Sequence, residues 1–220
     1  MNLKEIIEAT LIELDRGTAA DTVALYANKF TMYANEAVNE IARRFKCCMI
    51  DYTELTPANT GSEYLGFDIT SNDFSHACKR IMKILPAVYD SDSDTYAPLW
   101  DKKPLDFEQF VHGAPYIHVW GHDVADGDPV AVEYLYVPNP MSASSLSAVA
   151  PATIDEPDLP EHLHELIPLY VRAREQCGQD PNTQGTSSAY FQLFNNKVYQ
   201  LQRETLATPD SFKLIGYHFD

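Results

Sequence analysis

Hydrophobic positions recur with helical spacing over the first 45 residues of the chain. A first helix carries one apolar stripe at i, i+3, i+4, i+8 and i+11, formed by Leu3, Ile6, Ile7, Leu11 and Leu14. Gly17 is placed to end this helix, and Asp21 or Thr22 can cap a second one that runs to about Phe45. The stripe of the second helix is Tyr26, Phe30, Tyr33, Ala34, Ala37, Ile41 and Phe45. The short connection predicts two antiparallel neighbours.

A second helical region extends from about residue 160 to residue 205. Asp158 and Glu161 frame a proline in the manner of a capped helix start, with Asp158 as the cap. The apolar stripe that follows is Leu163, Leu166, Ile167, Tyr170 and Val171. Pro168 predicts either a kink or a division into two segments. The last helix begins near Ser187, and its apolar stripe is Tyr190, Phe191, Phe194, Val198 and Leu201.

The middle of the chain reads as strands and turns. The segments with strand character are 47–52, 79–89, 116–120 and 130–137. A short helix is predicted at Leu105–Val111 because Pro104 can open it. The turn around Gly127 predicts that the last two strands form a hairpin.

These patterns predict the α+β class, built mainly as a helical bundle of two antiparallel helix hairpins. Residues 138–157 are rich in Pro, Ser and Ala without periodicity, which predicts a loop or an extended arm laid over a partner. The domain prediction is therefore a bundle formed by 1–46 and 158–206, an inserted β-rich module with its arm at 47–157, and an extended tail at 207–220.

Charge and cysteine content narrow the functional classes. The 32 acidic and 16 basic residues give a formal net charge of −16, which repels phosphate backbones and disfavours tight or sequence-specific nucleic-acid binding. The four cysteines lack a CxxC pair, so reduced thiols made in a cytoplasm are expected at Cys47, Cys48, Cys78 and Cys177. The acidic start is unlike a signal peptide, and no apolar run approaches the ~18–20 residues of a membrane span.

The alternating carboxylates Asp90, Asp92 and Asp94 imitate the opening of a calcium loop. An EF-hand requires Gly at its sixth position and Glu at its twelfth, where this chain has Thr95 and Asp101. A solvated turn is therefore favoured over a metal site.

The histidines give a similarly weak case for metal binding. His118 and His122, with Asp123 beside them, would share one strand face at roughly 13 Å from each other, too far apart for one ion. His162 and His164 point to different sides of a helix and are expected to lie on a solvated acidic helix start. A pH-responsive interface at this pair is the alternative.

No nucleotide-binding loop or nucleophile elbow occurs in the sequence, and the neighbours His76 and Cys78 do not by themselves make a thiol nucleophile. We therefore expect no enzyme, no cofactor and no metal. A metal-dependent hydrolase that uses His118, His122 and Asp123 or the 90–94 carboxylates stays open as an alternative. The local basic residues are expected to complement acidic neighbours in an assembly; they are Arg43, Arg44, Lys46, Arg172 and Arg174.

Several segments together resemble the head-to-tail adaptor (connector) proteins of tailed bacteriophages. LKEIIEATLIELDRG at 3–17 and YANKFTMYANEAVNEIARRFK at 26–46 are similar to the first helix pair of that family. LPEHLHELIPLY at 159–170 and SAYFQLF at 188–194 resemble its later helices. The strand segments KRIMKILPAVY, YIHVWGHDV and VAVEYLYVPNP are similar to the variant that carries a β-module between the helix pairs.

The resemblance implies a structural virion protein, made in the host bacterial cytoplasm. It implies a homo-oligomeric ring, a dodecamer like the portal above it, through which DNA passes without sequence-specific binding. The expected partners are the portal protein and a downstream tail or stopper protein, with no membrane. The expected portal or neighbour contacts are the apolar tail residues Phe212, Leu214, Ile215, Tyr217 and Phe219. The alternative within the same class is another tail-completion, stopper or neck protein.

Overall fold

A computed structural model describes residues 1–57, 67–70, 74–91, 95–109, 116–120, 125–148, 150–177 and 184–207. The chain divides into two compact units. We call residues 1–46 with 138–220 the helical unit and residues 47–137 the sheet unit. Helices and antiparallel sheets are both present, so the predicted α+β class is confirmed.

Helix α1 (Leu3–Glu13) begins with a reciprocal cap. The side chain of Asn2 accepts a hydrogen bond from the Glu5 amide, and the Asn2 amide donates to the Glu5 carboxylate, at 3.0 and 2.9 Å. Its buried residues Leu3, Ile6, Ile7 and Leu11 confirm the predicted stripe. The prediction that Gly17 ends this helix was wrong, because the chain already turns at Asp15, whose φ is +55°.

Helix α2 (Ala20–Phe45) buries Phe30, Ala34, Ala37 and Ile41, as its stripe predicts. The predicted caps were wrong, because the helix begins after Ala19, which makes no side-chain cap. Asp21 lies inside the first turn, where its charge meets the positive end of the helix dipole. The helix ends at Lys46, which adopts the left-handed conformation with φ +49°.

The third helix starts later than the sequence predicts. A 3-10 turn at Glu161–Leu163 precedes helix α3 (Leu166–Cys177), and no side chain caps that turn. Asp158 accepts a hydrogen bond from the Asn139 amide at 2.9 Å, so it ties down the preceding segment instead of capping a helix. Pro168 lies in the first turn of α3, where its missing N–H is not needed. The helical region is therefore divided into two segments before Pro168, and a division into two segments is one of the two outcomes that the sequence predicts.

Helix α4 (Gln184–Ala207) completes the core of the helical unit. Phe194 and Val198 are buried, and α4 packs against α3, which also contacts α1 and α2. Tyr170 of α3 stacks edge-on against Phe191 and Phe194, with ring centroids 5.7 and 5.3 Å away. These four helices thus share one apolar core, while their description as two antiparallel hairpins stays a prediction.

Residues 138–157, which we call the strap, belong to the helical unit. The sequence pattern had grouped them with the β-rich module. Asn35 of α2 holds the strap in both directions: its amide nitrogen donates to the Met141 carbonyl and its oxygen accepts from the Met141 amide, each at 2.9 Å. Two short 3-10 turns at Ala143–Ser147 and Pro151–Thr153 replace the predicted featureless arm. The strap is therefore fixed to α2 by hydrogen bonds between the Asn35 side chain and the Met141 backbone, and by burial of the Met141 side chain.

The sheet unit contains a four-stranded antiparallel sheet with the order β1-β8-β4-β5. Its strands are β1 (Cys48–Glu54), β4 (Ala77–Asp90), β5 (Thr95–Pro98) and β8 (Pro129–Val137). One face of this sheet carries the fully buried side chains Ile84, Val130, Val132 and Tyr134. The opposite face centres on Leu85, Ala87 and Ala131, with Ile50 and Tyr52 packed against them.

A second four-stranded antiparallel sheet has the order β2-β3-β7-β6. It contains β2 (Thr56–Pro57), β3 (Phe67–Thr70), β6 (Asp106–Gln109) and β7 (Tyr116–Trp120). The helix predicted at 105–111 was wrong, because residues 106–109 form the edge strand beside β7. The predicted hairpin of β7 and β8 was also wrong, because β8 is flanked by β1 and β4 in the other sheet.

The turn that suggested this hairpin closes against β1 instead. Gly127 donates its amide to the Leu55 carbonyl at 2.9 Å, and the Leu55 amide donates to the Asp128 carbonyl at 3.0 Å. Gly127 has a φ of +81°, which favours glycine over residues with a Cβ. A turn does form where the sequence predicts one, but the strands on either side of it, β7 and β8, belong to different sheets.

Candidate functional site

A buried carboxylate joins three helical segments of the helical unit. The Glu175 side chain on α3 is 1% exposed. Its two oxygens lie 3.1 Å from Arg16 Nη1 and 2.6 Å from Lys29 Nζ. Arg16 follows α1 and Lys29 lies on α2, so one charge holds both elements against α3. Two cations are thereby paired with one carboxylate of the same subunit.

Most of the basic residues singled out in the sequence are also paired within the chain. Arg174 contacts Glu36 at 2.8 Å, and Arg172 contacts Glu13 at 3.5 Å while donating to the Tyr190 hydroxyl at 2.9 Å. On α2, Arg43 and Arg44 both bond to Glu40, at 2.8 and 2.6 Å. These cations complement acidic neighbours of the same subunit, whereas the sequence predicts such neighbours in the assembly.

The pairing with two arginines also changes the pKa of the Glu40 carboxyl. Partial burial alone would raise its pKa, but the hydrogen bonds and charges of Arg44 and Arg43 outweigh the burial and lower the pKa of the Glu40 carboxyl below its usual value. The pairing of these cations does not alter the net excess of 16 negative charges. A subunit of this kind presents a predominantly acidic exterior to polyanions.

The outer face of α2 is the side of that helix directed away from the core. Leu25 is 76% exposed and Met32 is 52% exposed. Two grooves flank this face where the strap crosses α2, with volumes of about 800 and 680 Å³. Asn28 lines both grooves, together with Ala143 and Ser144 of the strap. The outer face of α2 therefore combines two exposed apolar side chains, Leu25 and Met32, with grooves beside them into which another surface can pack.

The outer face of α4 has a comparable character. Tyr199 is 63% exposed and Leu193 is 48% exposed. The guanidinium of Arg203 lies 5.8 Å from the Tyr199 ring centroid. Two outward helix faces of the helical unit therefore combine exposed apolar side chains with polar ones.

A polar network ties the strands of the sheet unit together. Tyr134 donates its hydroxyl to Asp51 at 2.6 Å, and Ser75 donates to the same carboxylate through both its amide and its hydroxyl, at 2.7 and 2.8 Å. Burial, reinforced by the Asp51 carboxylate, raises the pKa of Tyr134 to about 12. Ser75 Oγ also lies 3.1 Å from His76 Nδ1, but Asp51 contacts the serine and not the imidazole. This order of contacts differs from a Ser-His-Asp relay, in which the carboxylate orients the histidine.

The other candidate catalytic residues either have surroundings that oppose the chemistry or lie outside the described residues. Cys78 is half-buried, and burial raises the pKa of its thiol to about 11, which opposes formation of a nucleophilic thiolate. His118 lies on β7, while His122 and Asp123 lie outside the described residues, as do Asp92 and Asp94. Within the described ranges, no three His, Cys, Asp or Glu side chains come together in a way that could hold a metal ion.

The two histidines before α3 differ from the solvated pair that the sequence predicts. His162 is exposed, but His164 is 5% exposed, so the prediction was wrong for His164. Its Nε2 donates to the Leu159 carbonyl at 2.9 Å, since a carbonyl can only accept. Nδ1 then accepts a hydrogen bond from the amino nitrogen of Met1 at 3.0 Å. His164 is a packed, hydrogen-bonded residue at the base of α1.

The predicted interface residues Phe212, Leu214, Ile215, Tyr217 and Phe219 lie outside the described residues. Sequence reasoning missed Glu175 and the Asp51 network. Glu175 could have been noticed, because it follows Ile167 and Val171 at i+8 and i+4 on an otherwise apolar stripe. Asp51 carried no comparable signal, since its partners are distant in sequence.

The sequence profile of the SU10 adaptor protein family matches residues 1–211 of the chain. The chain belongs to the SU10 adaptor protein family. The suspected relationship to phage head-to-tail adaptors is thereby confirmed at the level of the family. No curated protein matches the chain. Over the part of this adaptor that the structure describes, no helix is both long enough and apolar enough to cross a membrane.

Membership in an adaptor family directs attention to surfaces. The family implies interaction with other phage virion proteins, so the exposed faces of the helices are the surfaces to consider. In the helical unit of this adaptor, the outer faces of α2 and α4 are the described candidates.

Proposed function

We propose that the protein is a structural virion component that forms a ring under the portal and extends the DNA channel towards the tail. The observation that carries this proposal is the family match, which spans residues 1–211 and so includes both units. The resemblance of the helical segments to head-to-tail adaptors agrees with it. We assign no catalytic role and no cofactor to the chain.

The charge of the subunit supports a role beside DNA. A formal net charge of −16 per chain multiplies around a ring, and an acidic wall lets a polyanion slide without being trapped. We propose a dodecamer, because a ring that docks on a portal matches its symmetry most simply. The subunits are made in the host cytoplasm and end in the neck of the virion, between the portal and a tail or stopper protein.

The deciding experiment is the solution mass of the purified protein, alone and mixed with the cognate portal, measured by light scattering. We expect a multiple of the 24.8 kDa subunit mass, either in the protein alone or when the portal is present. A monomer that ignores the portal would reject the proposal. Binding of a tail component without binding of the portal would favour the alternative stopper or tail-completion role.

We further propose that the tail after α4 docks on the portal or on a neighbouring subunit. The tail carries Phe212, Leu214, Ile215, Tyr217 and Phe219, an apolar set suited to filling a groove or extending a sheet. Deletion of residues 208–220 should leave the thermal unfolding of the remaining chain unchanged and abolish portal binding.

A matched pair of full-length variants separates the aromatic side chains from the mere presence of the tail. Replacement of Phe212, Tyr217 and Phe219 by serine should abolish portal binding. Replacement of Lys213 and His218 by serine should leave it within about twofold, because most polar residues at an interface contribute little to its affinity. Portal binding of the deleted chain at unchanged affinity would reject the role of the tail.

A further inference from the structure

We infer that neighbouring copies of this chain contact each other by packing the outer face of α2 against the outer face of α4 in antiparallel register. The outer face of α2 is Asp21, Leu25, Asn28 and Met32, and that of α4 is Gln192, Asn196, Tyr199 and Arg203. The inference rests on the proposed ring, and it names the surfaces that build it. Both faces belong to the helical unit.

The spacing of the two sets is the first argument. The residues on α2 follow one another at i, i+4, i+7 and i+11, which is the seam that a helix presents to a single partner helix. Counted backwards from Arg203, the residues on α4 have the same spacing. An antiparallel pair therefore aligns all four positions at once.

The side chains that meet in this register are complementary. Asp21 faces Arg203, and Leu25, which is 76% exposed, faces Tyr199, which is 63% exposed. The amide side chains of Asn28 and Asn196 meet in the middle, where each can donate and accept. Met32 faces Gln192, beside the exposed Leu193. The parallel register would place Asp21 against Gln192 and leave Arg203 against Met32.

Charge provides the second argument. Arg16, Lys29, Arg44 and Arg174 all bind carboxylates within the subunit. Among the described residues, neither Asp21 nor Arg203 has an ion-pair partner. Each therefore has a charge available at the end of an exposed apolar seam, and the two charges are opposite in sign.

The shape beside the α2 seam gives the third argument. The groove of about 680 Å³ is lined by the small residues Ala20, Ala24 and Ala27, next to Leu25. Ridges of side chains on one helix pack into grooves on another, so the large Tyr199 ring of a neighbour has room beside Leu25. Single exposed apolar residues would mean little, but here they adjoin a recess.

The symmetry of the contact agrees with a ring. Two different faces of the same subunit take part, so the contact is heterologous and propagates from one copy to the next until it closes. A twofold dimer would instead place the same face on both sides. One helix pair buries less than the ~800 Å² per partner of a typical stable interface, so closure of the ring contributes to its stability.

Charge reversal tests the contact in the full chain, with and without the portal. Asp21→Arg and Arg203→Asp should each prevent ring formation in the condition in which the wild type forms a ring. A mixture of the two single variants should restore the ring, because the introduced arginine of one copy then faces the introduced aspartate of the next. The native Asp21 of that second copy in turn faces the native Arg203 of the copy after it. The double variant should also form a ring. Glu161→Arg, an exposed reversal away from both faces, should assemble like the wild type.

The outcomes distinguish this contact from the proposed function. Rings formed by both single variants would overturn the interface and leave the ring proposal intact. A wild type that stays monomeric with the portal would overturn both. Loss of assembly that mixing does not rescue would count against the pairing of Asp21 with Arg203.

A second measurement does not depend on charge. Leu25→Cys combined with Tyr199→Cys, in a Cys177→Ser background that removes the exposed native thiol, should give a ladder of covalent oligomers with a short bis-maleimide. Each single cysteine variant should stop at dimers at most. If assembled rings of the double cysteine variant gave no ladder of covalent oligomers, the proposed contact would be overturned.

Discussion

Replacement of Glu175 by glutamine keeps the shape of the side chain and removes its charge. In the wild type this carboxylate is 1% exposed and lies 3.1 Å from Arg16 and 2.6 Å from Lys29. Glutamine can still accept one hydrogen bond through its oxygen, but its NH2 group turns a second donor towards a cation. The substitution therefore tests the charge pairing without opening a cavity.

The expected loss of stability depends on how exposed the side chains of Glu175, Arg16 and Lys29 are. A hydrogen bond to a charged group contributes about 1.5–3 kcal/mol, and the substitution weakens the hydrogen bond from Arg16 together with the ion pair to Lys29. Loss of one partner of a fully buried pair costs about 3–5 kcal/mol, but Arg16 and Lys29 keep side-chain exposures of 24% and 43% and regain water. We expect Glu175→Gln to lower the free energy of unfolding by about 2–3 kcal/mol, a shift of roughly 4–12 °C in Tm for a chain of this size.

The assay can follow the two units separately. Helices α1 to α4 lie in the helical unit, so circular dichroism at 222 nm reports on it, while Trp100 and Trp120 both lie in the sheet unit and report on that unit by fluorescence. The control is Glu8→Gln, whose partner Lys4 is 3.8 Å away and half exposed, and which should change stability by less than about 0.5 kcal/mol. A dichroism midpoint for Glu175→Gln equal to that of the control would refute the reasoning.

Three further predictions concern the sheet unit and the thiols. Tyr134→Phe should destabilise the sheet unit by about 1.5–3 kcal/mol in urea melts followed by tryptophan fluorescence, because the hydrogen bond to Asp51 is charge-assisted and partly buried. The control Tyr199→Phe, at an exposed position, should have no measurable effect. The pKa of Tyr134 is raised to about 12, so its hydroxyl contributes fully to the free energy of unfolding below pH 10 and loses that contribution between pH 10 and 12. In that range the wild type should therefore lose stability faster than Tyr134→Phe. In thiol titration of the native protein at pH 8, the exposed Cys177 should react first. Cys47, which is buried, and Cys78, whose thiol pKa is raised, should react last. The variant Cys177→Ser should lack the fast phase, and fast reaction of Cys78 would contradict this order.

Local periodicity carried most of the information about the helices. Most of the α1 stripe and the centre of the α2 stripe were predicted, because a helix needs only its own spacing to define a buried face. The α2 prediction missed the buried Val23, Thr31, Val38 and Ala42. Helix ends were predicted less well. Gly17 and Asp158 are good end signals by residue type, but Asp15 turns the chain earlier and Asp158 bonds to the Asn139 amide instead.

Strand pairing depended on contacts that the sequence does not display. The segments 116–120 and 130–137 were recognised as strands, yet their adjacency along the chain suggested a hairpin that does not form. Both sides of β8 are occupied, by β1 from far upstream and by β4. The segment at 105–111 was misassigned for the same reason, since its strand exists by pairing with β7.

The candidate site was only partly accessible to sequence reasoning. Apolar residues in the tail stand out by composition alone, so the five tail positions could be named. The outer faces of α2 and α4 could not, because Leu25 and Tyr199 differ from core residues only in exposure, which depends on how the helices pack. The Asp51 network depended on Ser75 and Tyr134, which only the fold brings near it.

The pairing of β1 with β8 has a consequence for how this protein can change over time. Cys48 lies opposite Leu135, so the two ends of the sheet unit emerge side by side, about 5 Å apart as in any antiparallel pair. A tight turn of a few residues could span that gap. The whole segment could therefore be cut back to such a turn, or replaced by another insert, without altering the length of any helix.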